Sequence, residues 1–337
     1  MNSGIRNEYQ FLIKHFLWLN TLFLILITSN IDYKKVLSAF LFGMLFSEVV
    51  SYLIFFDLIN WQKLKSLHLL IKGASPFDPS PFMHHSFYSI FLAVSILIIF
   101  DKLKYFKGFL KLISVFFLVS ATINLFINGG RLGQIALIFG VLVYALIKYK
   151  NYKAFIGAFF ILTIIFFLAY NFSVNFKDRI NYSLRDLKIV FNHKDFHNSW
   201  GQRIGADIVF LKIILNSPKK FILGCGAGDA KEIFFKEGKK VAPLEIKYLK
   251  NYLHLHNQYF QLWCDGGIVT FLLVIVYFFY LYKYSPLPIT AAFISILAFS
   301  FIGDVILYRP KTYLFFIFMS FILLSTYRET SNTGRGS

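Results

Sequence analysis

Long apolar runs separated by short polar connectors are the dominant pattern along this chain. A helix that crosses a bilayer needs about 20 predominantly apolar residues. The runs therefore predict about nine membrane spans, with boundaries near 11–28, 36–56, 82–100, 109–127, 132–148, 154–171, 266–282, 287–305 and 312–327. The predicted fold class is an all-α polytopic membrane protein.

Composition agrees with this class. Hydrophobic residues make up 57% of the chain, and charged residues make up 15%, against roughly 25% in soluble domains. No separate cleavable signal stands out, and the first spans are expected to act as their own insertion signals. The polar C-terminal segment 328–337 is predicted to be a disordered tail.

One long polar stretch interrupts the spans. We predict that residues 1–171 hold about six transmembrane helices, residues 172–256 form one large loop, and residues 257–327 hold about three more helices. Lys and Arg outnumber Asp and Glu 15 to 8 in the loop, so its surface should attract anions. This loop is the predicted working surface.

The short connectors predict the orientation. Residues 101–107 and 148–153 are rich in lysine, which favours the cytoplasmic side. The large loop and the N-terminus then fall outside. Because an outside N-terminus with an odd number of spans is unusual, we expect that N-terminal spans are missing relative to a fuller architecture.

Arg131 is a candidate functional residue at the outer mouth between two spans, in the segment INGGRLGQIAL. A guanidinium beside hydrocarbon is costly unless it is paired or faces a wet cavity, and the flanking glycines allow close approach of backbone or ligand. The alternative is an arginine that extends to the lipid headgroups. His84 and His85 are predicted at the same outer face and could line a cavity.

Arg203 opens a second candidate segment. Apolar residues after it predict a short amphipathic helix on the membrane surface or packed on the spans, namely Ile204, Ile208, Phe210, Leu211, Ile214 and Leu215. Ser217 and Pro218 should end that helix. Gly224 and Gly226 then begin a glycine-rich turn, which is a weak motif by itself. Arg203 could also be a plain surface charge.

The segment HLHNQYFQLWCDGG carries the most chemistry. It places His254, His256, Asn257 and Asp265 before the seventh span. A histidine at the mouth of a cavity is suited to proton transfer near neutral pH, so His256 is a candidate general base. On a helix, His254 and His256 would not face one another, so no metal site is expected.

Two further features remain open. Asp304 is predicted at the outer end of the eighth span, where burial would require a cationic partner such as Arg309. The two cysteines, Cys225 and Cys264, have no metal-ligand spacing. They are expected to be unpaired thiols, although a disulfide is possible in an oxidising compartment.

These segments, in this order, resemble the bacterial O-antigen ligase and polymerase superfamily. The resemblance lies in INGGRLGQIAL, in SWGQRIGADIVFLKIILNSPKKFILGCGAGD and in HNQYFQLWCDGGIVTFLLVI, which together cover roughly a third of the chain. Two departures stand out. Asp265 replaces the usual glutamate, and Gly129 or Gly130 replaces a serine.

The resemblance implies a GT-C-like, metal-independent membrane glycosyltransferase of lipopolysaccharide biosynthesis, with one large periplasmic loop. Its donor would be a glycan on undecaprenyl diphosphate, and its acceptor a lipid A core sugar. The protein would lie in the bacterial inner membrane among its lipids, with its active site facing the periplasm. No cofactor and no nucleic-acid partner are expected.

We predict the following site residues for this chemistry. Arg131 and Arg203 would bind the diphosphate, His256 would deprotonate the acceptor hydroxyl, and Asp304 would orient or balance charge. Asn257, Gly224, Gly226, His84 and His85 are the candidate substrate-binding residues.

Two other function classes stay open at this point. An O-antigen polymerase or a protein O-oligosaccharyltransferase would use the same donor and could use the same residues. A polysaccharide transporter or flippase is less favoured, because the spans lack paired helices broken by Gly or Pro in two halves.

Overall fold

The computed structural model describes residues 32–226, 230–249 and 254–333. Within these residues the chain is helical and contains no strand. The α-helices are α1 (Tyr33–Phe55), α2 (Trp61–Ser66), α3 (His85–Lys102), α4 (Gly108–Ile127), α5 (Arg131–Tyr149), α6 (Tyr152–Phe172), α7 (Val174–His193), α8 (Ser199–Leu215), α9 (Pro218–Leu223), α10 (Ala230–Val241), α11 (Pro243–Ile246), α12 (Gln258–Tyr284), α13 (Pro288–Gly303) and α14 (Pro310–Thr333). Short 3-10 turns cover Leu103–Tyr105, Lys247–Leu249 and Ile306–Tyr308.

The structure is that of a multi-pass membrane protein. In the described part of the chain, seven helices are long and apolar enough to cross a bilayer, namely α1, α3, α4, α5, α6, α12 and α14. Helix α13 is apolar but has 16 residues. The predicted span 11–28 lies outside the described residues, so the count of nine stays a prediction.

The chain divides into two compact units. We call residues 32–181, 282–300 and 322–333 the scaffold unit, and residues 182–281 and 301–321 the histidine unit. In the scaffold unit, α3 is the most buried span, whereas only 6% of the most apolar stretch of α6 is buried, as expected of a lipid-facing helix. A buried hydrogen bond of 3.0 Å from Asn124 Nδ2 to Ser51 Oγ joins α4 to α1.

In the histidine unit, the hydrophobic core is built around α8. The buried residues of α8 recur at helical spacing and pack against α10, α11 and the start of α12. These residues are Ala206, Val209, Phe210, Ile213 and Ile214. The predicted amphipathic helix is therefore present, but its apolar face is rotated from the prediction, because Leu215 at its end is exposed. Ser217 caps α9 and Pro218 occupies its first turn, as the predicted break requires.

The structure differs from the sequence prediction in three places. The 172–256 stretch folds into helices α7 to α11 rather than one helix in a loop. Helix α12 begins at Gln258, eight residues before the predicted span, and it kinks at Gly266 and Gly267 where that span was predicted to start. Helix α14 continues to Thr333, into the predicted disordered tail, and its Glu329 forms a 2.7 Å ion pair with Lys34.

Candidate functional site

His256 lies in a turn before α12, and not on the helix that the argument about the two histidines assumed. Its φ is +49°, a left-handed conformation that costs a non-glycine residue roughly 1–2 kcal/mol. Asn257 then caps α12, since its Oδ1 accepts hydrogen bonds from the backbone N–H groups of Tyr259 at 3.1 Å and Phe260 at 3.2 Å. The His-Asn pair thus turns the chain and begins the helix. Asn257 has a structural role, and its predicted contact with substrate remains a prediction.

Asp304 faces His256. Its Oδ1 lies 3.3 Å from His256 Nδ1 and also accepts a 2.8 Å hydrogen bond from the backbone N–H of Val305. The Asp304 side chain is buried, which by itself would raise its pKa. The hydrogen bond and positive charge of His256 outweigh burial, so the pKa of Asp304 lies below its ordinary value. Asp304 is therefore an anion at neutral pH, and the group that faces it is the imidazole of His256 rather than the predicted Arg309.

His254 is the second histidine of the turn, and its ring contacts the His256 ring with centroids 4.1 Å apart. Its Nε2 lies 3.4 Å from Nη2 of Arg309. Burial is the largest cause that lowers the pKa of His254 to about 4, and the positive charges of His256, Arg309 and Arg203 add to it. His254 is therefore neutral at neutral pH.

The two histidines and Asp304 also have the spacing of metal ligands. One ligand atom from each lies within 4.8 Å of the other two. The sequence argument against a metal assumed a helix on which the two histidines point apart, and that assumption is wrong. Electrostatics still opposes a cation, because Arg309 contacts His254 and Arg203 adds a further positive charge.

Arg203 lies in the first turns of α8, in the same unit as these histidines. Its Nη1 donates hydrogen bonds to the Ser199 carbonyl at 3.1 Å and to the Ser199 Oγ at 2.7 Å. Among the described residues, no carboxylate lies within ion-pair distance of its guanidinium. A guanidinium that is not held by an ion pair among these residues suits a residue that binds an anion.

Asp207 is a residue of this site that sequence reasoning missed. It lies one turn after Arg203 on α8 and forms a side-chain hydrogen bond with Asn257. Burial raises the pKa of Asp207 to about 7, and the Asn257 hydrogen bond and the Arg203 charge only partly oppose this. The i, i+4 spacing from Arg203 was the available signal, although it does not reveal the distant partner Asn257.

A hydrogen-bond network ties the histidine turn to the segment after Asp304. Gln261 accepts from the backbone N–H of Leu255 at 3.0 Å and donates to Asp265 Oδ1 at 3.0 Å. The Tyr308 hydroxyl donates to the other oxygen of Asp265. Gln258 Oε1 accepts from the backbone N–H of Leu307 at 2.7 Å. The polar residues of the first turns of α12 thus hold both sides of the His256–Asp304 pair.

The predicted glycine-rich turn is explained by close packing. A Cβ on Gly224 would lie 2.6 Å from the backbone nitrogen of Gly267 and 2.7 Å from the carbonyl oxygen of Cys264. Gly224 and Gly226 both have positive φ, which glycine adopts without strain. Packing is therefore sufficient to explain the glycine at position 224. The predicted role of Gly224 and Gly226 in substrate binding stays a prediction.

Arg131 belongs to the scaffold unit, where it is the first residue of α5. The glycines beside it are required by packing. A Cβ on Gly130 would lie 2.5 Å from the His85 carbonyl oxygen, and one on Gly133 would overlap the backbone of Ser89. Of the two predicted reasons for these glycines, close approach of a backbone is therefore the one that applies.

His84 and His85 have contacts of their own in the scaffold unit. His84 caps α3 by accepting from the Ser86 N–H at 3.4 Å, and His85 Nδ1 lies 2.6 Å from Asp78 Oδ2. Burial would raise the pKa of Asp78, but the His85 hydrogen bond and charge, with the charge of Arg179, lower it. Arg179, whose guanidinium approaches Gly129, was not predicted from the sequence.

A protein-family model matches the middle of the chain. Residues 114–275 match the family model described as O-Antigen ligase. The matched range includes Arg131, Arg203 and His256 and ends before Asp304. No curated protein matches the chain.

Proposed function

Because this chain belongs to the O-antigen ligase superfamily, we propose that it transfers a glycan from undecaprenyl diphosphate to a lipid A core sugar. The reaction would occur at the periplasmic face of the bacterial inner membrane. The observation that carries the proposal is the 3.3 Å pairing of His256 with a buried Asp304 carboxylate, in the unit that also contains Arg203.

His256 is the general base in this proposal. A hydrogen on Nδ1, directed at Asp304, leaves Nε2 with the lone pair that accepts the proton. The acceptor hydroxyl oxygen then forms a bond to the anomeric carbon while its proton moves to His256. The bond from the anomeric carbon to the diphosphate oxygen breaks, and undecaprenyl diphosphate leaves with that electron pair.

Arg203 binds the diphosphate in this proposal. The leaving group gains negative charge as the bond breaks, and a guanidinium can bind it with two parallel hydrogen bonds. A full charge pair at 4 Å with an effective dielectric near 20 is worth on the order of 4 kcal/mol before desolvation. Only the part that grows in the transition state accelerates transfer. Arg131 keeps the same assignment from its sequence motif.

The test is the lipopolysaccharide banding of a bacterial strain that lacks this chain. Loss of a ligase removes the whole O-antigen ladder and leaves lipid-linked polymer to accumulate. The wild-type chain should restore the ladder, and His256→Ala should not. His197→Ala is a matched control, because His197 also pairs with an aspartate, Asp195 at 2.9 Å, but is 75% exposed.

The same experiment separates the polymerase alternative. A strain without its polymerase retains lipid A core with one repeat unit, so that pattern would replace the ligase proposal. Purified protein with a lipid-linked glycan and lipid A core provides the second arm. A transporter would form no glycosidic bond in that assay.

A further inference from the structure

The only two cysteines of the chain lie side by side, although 38 residues separate them in sequence. Cys225 follows α9, and Cys264 lies in the second turn of α12. Both side chains are buried in the same apolar cluster. The backbone N–H of Cys225 donates a 2.5 Å hydrogen bond to the carbonyl of Cys264. A disulfide joins residues whose Cα atoms lie roughly 4.4–6.8 Å apart, a separation that two residues joined by a backbone hydrogen bond can meet.

Tight packing fixes this register. A Cβ on Gly267 would overlap the carbonyl oxygen of Ile222, so the two backbones touch there. The indole Nε1 of Trp263 donates a 2.9 Å hydrogen bond to the carbonyl of Phe221. Contacts on both sides of the cysteines therefore hold residues 221–225 against residues 263–267.

The thiols themselves are in contact. A hydrogen bond from the Cys264 thiol lowers the pKa of the Cys225 thiol, and the nearby Lys220 ammonium lowers it further against the opposing effect of burial. Cys225 lies outside the membrane-spanning helices. Because a lower pKa leaves more of a thiol as the thiolate, Cys225 is the sulfur expected to attack first.

We propose that Cys225 and Cys264 form an intramolecular disulfide when the chain meets a disulfide-bearing thiol oxidant. The Cys225 thiolate attacks one sulfur of the oxidant, which forms a mixed disulfide and releases one thiol. The Cys264 thiolate then attacks the Cys225 sulfur and releases the second thiol. One oxidant disulfide is reduced to two thiols, and the two protons of the cysteines end on them.

The disulfide would clamp the 221–225 segment to the part of α12 that orients the histidine turn. Gln261 and Asp265, which hold Leu255 and Tyr308, flank Cys264 on this helix. Closing the 225–264 loop restricts the unfolded chain, so oxidation should raise Tm by several degrees. The inference does not depend on the proposed glycosyl transfer.

In the test, the purified full chain is treated with glutathione disulfide and then denatured, with or without reduction. A polymer that carries a maleimide is then added, and each free thiol that reacts with it increases the mass of the protein. We expect no mass shift without reduction and two added polymers after reduction, with the protein monomeric. Two added polymers without reduction, or a disulfide-linked dimer, would overturn the proposal.

Variants and the melting temperature give independent readouts. Cys225→Ser should add one polymer under both conditions, and oxidation should leave its Tm unchanged. If that variant does not fold, the wild-type result and the mass of the 225–264 cross-linked peptide pair still decide. An oxidised wild-type protein with an unchanged Tm would refute the clamp.

Discussion

The imidazole rings of His254 and His256 lie in contact, with centroids 4.1 Å apart and planes inclined by 64°. The contact arises because residues 254–257 form a turn with left-handed backbone at His256, whereas α12 begins only at Gln258. Burial and the neighbouring positive charges then lower the pKa of His254 to about 4. His254 is therefore a weak base that is neutral at neutral pH, and it contacts His256 as a neutral neighbour.

The first prediction concerns the general base. His256→Ala should lower turnover by roughly 10²–10⁴-fold while donor binding survives, because proton transfer matters only in the transition state. The measurement is single-turnover transfer with donor affinity determined in parallel. His197→Ala, which removes an exposed histidine with its own aspartate, should keep wild-type turnover. An active His256→Ala enzyme would remove the base assignment.

His254 and a metal are tested together. His254→Ala should cost much less than His256→Ala, since a pKa of about 4 makes His254 a weak base, and EDTA should leave the activity of the purified enzyme unchanged. Equal loss in both histidine variants, accompanied by EDTA sensitivity restored by a divalent metal, would point to the His254, His256 and Asp304 set as a metal site.

The second prediction concerns Asp304. Asp304→Asn keeps the size of the side chain but can donate a hydrogen to Nδ1 of His256, which favours the wrong tautomer. Loss of such a carboxylate can cost as much as ~10⁴-fold in turnover. The loss should be in kcat rather than KM. Asp195→Asn, at the exposed pair with His197, should have no effect, and an equal effect of both variants would contradict the role of Asp304.

Apolar runs revealed most of the membrane helices, because a span is a local property of about 20 residues. Eight of the nine predicted spans coincide with described helices, of which α13 is short. The helices of residues 172–256 were largely missed. Their stability depends on a core shared by α8, α10 and α11, which no single window of sequence contains.

The site was predictable in identity but not in arrangement. His256 and Asp304 were both candidates, yet their pairing joins residues 48 positions apart, and the predicted partner Arg309 instead contacts His254. Asp207 was overlooked because its role depends on Asn257, far away in sequence. The contact between Cys225 and Cys264 likewise follows from packing between distant segments.

The third prediction concerns the arginines. Arg203→Lys and Arg131→Lys should each lose most activity, because lysine keeps the charge but not the two parallel hydrogen bonds. The matched control is Arg185→Lys on α7, whose side chain is exposed over the Tyr182 ring. Transfer rates at matched protein levels give the answer. Normal turnover in both Lys variants would show that the two arginines do not bind the diphosphate. Arg203 would then be a surface charge, and Arg131 would be an arginine that extends to the lipid headgroups.

The fourth prediction uses the pKa of Asp207, which burial raises to about 7 from an ordinary value near 4. Between these values the unfolded chain has lost the proton that the folded chain keeps, so stability falls as pH rises through this window. Asp207→Asn removes this loss. Its advantage in unfolding free energy over the wild type should therefore grow from pH 5 to pH 8, on the order of 2 kcal/mol.

Thermal melts of both proteins at the two pH values provide the measurement for Asp207. Asp186→Asn, which changes another carboxylate of the same unit, is measured alongside as the control. A constant difference between Asp207→Asn and wild type across the range would show that Asp207 is already ionised at pH 5.

The last prediction concerns topology, which follows from the lysine content of the short connectors. A cysteine placed at Lys236, an exposed residue of α10, should react with a membrane-impermeant maleimide in intact spheroplasts, and a cysteine at Lys104 should react only after lysis. Both are made in a background with Cys225 and Cys264 replaced by serine. The reverse pattern would place the His256–Asp304 pair on the cytoplasmic side. A periplasmic donor diphosphate could not reach it there, so the proposed reaction would fail with the topology.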